Sequence, residues 1–118
     1  MKKNDEDDLN KELLEYENLE KQLEVVLIQK HQLQLQQNEV KHALEEIKKA
    51  EGKVFRSAGS IMVQSSKAEA ESDLKERQEL IDVKLGALEK QEAKLRESVS
   101  EAQQSLQEKL KGHGKEAG

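Results

Sequence analysis

The side chains able to do chemistry in this chain are few. Its histidines are His31, His42 and His113, and it contains no cysteine. His31 and His42 are eleven residues apart, so on one helix they lie near a common face but roughly 16 Å apart along the axis. That is too far for one metal ion, whose ligand bonds are about 2 Å long. Without cysteine, disulfides, thiolate nucleophiles and Cys-based metal sites are excluded. Glutamates recur in pairs, but a carboxylate dyad needs an apolar cleft to separate its two pKa values. The surrounding Glu/Lys/Gln pattern reads as solvated helix surface. No phosphate-cradling glycine loop is present, so neither catalysis nor a cofactor is expected.

The elements explain this poverty. Charged residues make up 38% of the 118 and apolar ones 34%, with one Tyr, one Phe, no Trp and no Pro. Such a mixture belongs to long helices and coiled coils, not to a compact globule. Net charge is −5 with both signs interspersed, which disfavours nucleic acid, whose binding needs a basic patch. Met1-Lys2-Lys3 is followed by Asn4-Asp5-Glu6-Asp7-Asp8 and not by the apolar run of a signal peptide. No apolar stretch approaches the ~18 residues of a membrane span. A cytoplasmic protein is the expectation.

Two helices are predicted, over 9–51 and 66–111, with a disordered tail at 1–8 and a flexible one at 112–118. In the first helix, heptad a positions are Tyr16, Leu23, Lys30, Gln37 and Leu44, and d positions are Leu19, Val26, Leu33, Val40 and Ile47. In the second, a is Gln78, Leu85, Glu92, Val99 and Leu106, and d is Leu74, Ile81, Leu88, Leu95 and Ala102. These are coiled-coil seams. Ser66 and Glu69 have the spacing of a capping box, and Gly52 that of a helix stop. Folded antiparallel about Gly59, the seams oppose Leu23 to Leu95, Leu33 to Leu85, Leu44 to Leu74 and Leu19 to Val99. Lys30, Gln37, Gln78 and Glu92 interrupt the stripe, so the helix pair should be weakly held.

Between the helices, residues 53–64 read as a β-hairpin. Val54 and Phe55 begin one strand, Ile61, Met62 and Val63 form the other, and Gly59-Ser60 fits a two-residue type II′ turn. An isolated two-stranded hairpin is at best marginally stable. Strands from other chains are therefore expected to complete it, with Val54, Phe55, Gly59, Ile61, Met62 and Val63 as the oligomerisation element.

Toward the termini the seam loses apolar partners. Leu9 falls opposite Lys109 and Leu106 opposite Glu12, leaving Leu9, Leu13, Leu14, Leu106 and Leu110 as an apolar tip. Val25 and Ile28 belong to an apolar run of four that one seam cannot bury, and Leu14, Ile28 and Leu35 share an outer face. Exposed apolar residues repeated on one face mark a partner surface. Many weak apolar contacts would suit an unfolded chain. A plain structural scaffold or tether is the competing reading.

The hairpin Val54-Phe55-Arg56-Ser57-Ala58-Gly59-Ser60-Ile61-Met62-Val63 resembles the V-Y-K-x-x-G-x-L-L-V hairpin of archaeal-type prefoldin β subunits. Leu88-Glu89-Lys90-Gln91-Glu92-Ala93-Lys94-Leu95 is similar to the family's L-E-K-Q-E-x-R-L. Leu23-Glu24-Val25-Val26-Leu27-Ile28-Gln29-Lys30-His31-Gln32-Leu33 is similar to its L-x-x-V-x-x-Q-K-Q-x-L segment. The likeness spans roughly residues 10–110. Phe55, Arg56 and Ser60 depart from the usual Tyr, Lys and Asn. The resemblance implies a mostly α fold, in which a long antiparallel two-helix coiled coil is joined by a central β-hairpin that pairs with other subunits in a β-barrel. It further implies a hetero-hexamer with two α-type subunits and further β copies, and an ATP-independent holdase. Coiled-coil tips would capture unfolded client proteins and pass them to a group II chaperonin, with no nucleic acid and no membrane involved.

Overall fold

The computed structural model describes residues 2–117, and side chains over 6–112. Four elements follow in order: α1 (Lys2–Lys49), β1 (Val54–Ala58), β2 (Ile61–Ser65) and α2 (Lys67–Ala117). The fold is mostly α, two long helices joined by an antiparallel hairpin, as the heptads and the turn pair require.

The ends of the helices differ from expectation. Residues 2–8 and 112–117, predicted as loose tails, carry helical backbone. Nothing in either segment forbids it. The chain contains no proline, and the acids Glu6 to Asp8 suit the positive half of the helix dipole. Gly112 and Gly114 each cost a helix about 1 kcal/mol relative to Ala, which weakens α2 without ending it.

At the hairpin end α1 stops at Lys49, two residues before the predicted boundary. The Ala50 amide turns back onto the Ile47 carbonyl at 3.1 Å, and Gly52 takes φ +100°. Lys67 Nζ, from the first turn of α2, donates to the Lys48 carbonyl at 3.0 Å, satisfying one of the acceptors that a helix end leaves open. Ser66 caps α2: its hydroxyl accepts from the Glu69 amide at 3.1 Å. The other half of the predicted capping box is altered, since the Glu69 carboxylate accepts from the Ser65 hydroxyl at 3.3 Å.

The chain packs as two units, each built from both helices. The first comprises residues 30–87 and contains the hairpin. Its core is Val40, Leu44, Ile81 and Leu85, with Leu33 and Leu74 packed against it. All six are a or d residues, and the fold about Gly59 opposes Leu44 to Leu74 and Leu33 to Leu85, with Val40 and Ile81 filling in beside their polar counterparts Gln78 and Gln37. Gln37 Nε2, from a polar a position of α1, donates to Asp82 Oδ1 on α2 at 2.9 Å.

The second unit contains residues up to 29 and from 88 onward. Val26, Leu95 and Leu106 are buried in it. Glu92, a polar a residue, keeps only 15% of its side chain exposed and pairs with Arg96 one turn on, at 2.8 Å. Nearer the termini the Glu12 carboxylate accepts from the Ser105 hydroxyl at 3.3 Å and from Lys109 Nζ.

Candidate functional site

Two groups of exposed apolar side chains stand out, one in each unit. The hairpin comes first. Its register pairs Val54 with Ser65, Phe55 with Gln64, Arg56 with Val63, Ser57 with Met62 and Ala58 with Ile61. Gly59 has φ +63° and, among the described residues, no non-glycine has positive φ. That combination selects type II′ over type I′, which would need Ser60 positive as well. Directly opposed residues share a face, so one face carries Val54, Arg56, Ala58, Ile61 and Val63, and the other Phe55, Ser57, Met62 and Gln64.

Within this single chain the hairpin is largely uncovered. Phe55, Ile61, Met62 and Val63 are all exposed, Met62 at 65%. Val54 is the exception: it is buried in the chain's own fold at 9%. The sequence puts Val54 among the oligomerisation residues; in the single chain its side chain is covered, unlike those of Phe55, Ile61, Met62 and Val63. As the first residue of β1, next to the helix ends, it packs within the chain.

Alongside β1 runs a groove of about 560 Å³, lined by Phe55, Ala58, Leu74 and Leu80 among others. Arg56 Nη1 reaches from β1 to Asp73 Oδ2 on α2 at 2.6 Å. Leu80 and Val83 project from α2 into solvent. Sequence reasoning missed both, although apolar residues three apart and outside the a and d positions were a visible signal.

In the terminal unit Leu13, Leu14, Val25, Ile28 and Leu110 are exposed, and Leu9 is half-buried. Leu106 is not part of the exposed group; it is 8% exposed. Its predicted neighbour Glu12 bonds instead to Ser105 and Lys109, one residue before and three after. Leu106 itself is buried within the terminal unit. Among the described residues, no three His, Asp or Glu side chains gather as a metal site would require. No described helix is long and apolar enough to cross a membrane.

The family model for the prefoldin subunit matches residues 10–113. The chain belongs to the prefoldin family. Among its relatives, prefoldin subunit beta of Thermococcus onnurineus is 40% identical over 97 residues, covering 80% of this chain and 84% of that protein. Prefoldin subunit beta of Pyrococcus abyssi is 37% identical, covering 80% and 83%. The crystal structure of the prefoldin beta subunit from Thermococcus strain KS-1 superposes with a TM-score of 0.80 at 35% identity, covering 86% of this chain and 90% of that one. The hairpin and both seams lie inside the matched prefoldin region, so both exposed groups sit on family scaffold.

Proposed function

We propose that this chain is the β-type subunit of a prefoldin-like hetero-hexamer that holds non-native polypeptides without ATP. The hairpin joins it to α-type subunits and further β copies. The exposed leucines of the terminal unit, with Val25 and Ile28, hold the client, which passes to a group II chaperonin, and the cytoplasm is the fitting compartment.

One observation carries the reading: a two-stranded sheet with Phe55, Ile61, Met62 and Val63 in water and no third strand among the described residues. Such a sheet has two open edges, and proteins pair or cover open edges. A tether would need neither that sheet nor an apolar surface on the terminal unit.

The test is aggregation of a thermally unfolding reporter protein, followed by light scattering, with the chain mixed with a prefoldin α-type subunit. Delayed scattering at near-stoichiometric ratios is expected. Unchanged scattering, with the mixed oligomer present by native mass spectrometry, would refute holding and leave a scaffold.

A further inference from the structure

In the terminal unit the seam is not evenly covered. Leu95 and Leu106 are buried, while Leu23 and Val99 are only half-buried and Leu27, beside them at an e position, is 37% exposed. These last three apolar side chains floor an open groove of about 460 Å³. Its wall is acidic: Glu17, Glu20 and Glu24 line it, against the single cation Lys21. All three carboxylates are exposed. Among the described residues no hydrogen bond or ion pair engages them, although Glu12 and Glu92 in the same unit are paired. Leu13, Glu17, Glu20, Glu24 and Leu27 follow one another at steps of three and four residues, so one helical face runs from the exposed tip leucine into the groove.

We propose that this groove receives a cationic amphipathic segment of a non-native client, one in which lysine or arginine alternates with apolar residues. The inference rests on the holding function proposed above and adds the chemical class of segment held. Apolar side chains of such a segment cover Leu23, Leu27 and Val99, and its cations reach Glu17, Glu20 and Glu24. Lysine and arginine suit both surfaces at once, since their aliphatic stems pack on apolar ground while the charged heads stay in water beside the carboxylates. A neutral apolar segment fills the floor but leaves the carboxylates unmatched. An acidic one is repelled by them and by the chain's net charge of −5. Exposed ion pairs are individually weak and screened by salt, so the groove favours cationic segments without excluding others.

The full chain, assembled with a prefoldin α-type subunit, would be titrated against a fluorescent peptide of repeating Leu-Lys-Ser-Gly, and against counterparts with Gln or Glu in place of Lys, with anisotropy as the readout. At low salt the Lys peptide is expected to bind about tenfold more tightly than the Gln peptide, and the Glu peptide most weakly. At high salt the three should converge. Glu17→Gln, Glu20→Gln and Glu24→Gln combined should bring the Lys peptide down to the affinity of the Gln peptide. Glu39→Gln, Glu46→Gln and Glu79→Gln remove the same charge from exposed positions of the hairpin-bearing unit, and should leave the ranking unchanged. Leu27→Ser should weaken all three peptides. Equal binding of the Lys and Gln peptides would make the occupant a neutral apolar segment and overturn the proposal. Equal losses in the two triple variants would also overturn it, by assigning the preference to overall charge. If no peptide binds but reporter aggregation is still delayed, holding stands and only the groove is lost; if aggregation is unchanged too, the holding function falls with it.

Discussion

Gly86 sits within α2, off the seam, where an added Cβ would meet nothing. Its backbone is helical and its φ is not positive, so neither turn geometry nor close packing calls for glycine. Gly86→Ala should stabilise the chain by about 1 kcal/mol, read as a higher urea midpoint at unchanged slope. Ser66 works in the opposite direction. Its hydroxyl accepts from the Glu69 amide, and Ser66→Ala should cost about 1 kcal/mol. The sequence made Ser66 legible because a cap is a short-range pattern. It did not reveal that the Glu69 carboxylate bonds to the Ser65 hydroxyl, a choice between adjacent partners that residue spacing does not settle. Leu106 was misplaced for a similar reason. Its a position on the seam was legible, but the fold about Gly59 set a carboxylate, Glu12, opposite it, and that opposition alone does not decide burial. Leu106→Ala should therefore destabilise the fold by about 2–5 kcal/mol, as a buried leucine does, whereas Leu14→Ala should leave the urea midpoint nearly unchanged.

At the scale of elements, the hairpin was readable to within a residue. Gly-Ser between two short apolar runs leaves few alternatives, and the observed register places the turn on Gly59 and Ser60. Helix ends were less readable, because in a proline-free, Glu- and Lys-rich chain a helix stops only where something stops it. The groove beside β1 was not readable at all, since it exists only once β1 is laid against α2. The burial of Val54 changes which variants report on assembly. Ile61→Asp with Met62→Asp places charge on exposed positions, so it should break subunit association in size-exclusion chromatography while helical circular dichroism stays at the wild-type level. Val54→Asp should also lower the chain's own stability, because there the charge enters packed surroundings.

For the whole molecule, family membership and the division of exposed apolar residues between two units predict separable functions. Leu13→Ser, Leu14→Ser and Leu110→Ser combined should weaken suppression of reporter aggregation severalfold and leave the mass of the oligomer unchanged in native mass spectrometry. Ile61→Asp with Met62→Asp should do the reverse at the level of assembly. A triple variant that loses the oligomer would place the interface in the terminal unit and contradict this division.

The left-handed backbone of Gly59 has a stereochemical consequence. At φ +63° an L side chain is strained, while the mirror-image side chain is at ease. A chain made by chemical ligation with D-alanine at 59 should keep its hairpin and hold it more stiffly, and the L-alanine epimer should loosen it. Two polypeptides of identical mass and composition would then differ in how readily they find their neighbours, through the chirality of one carbon atom.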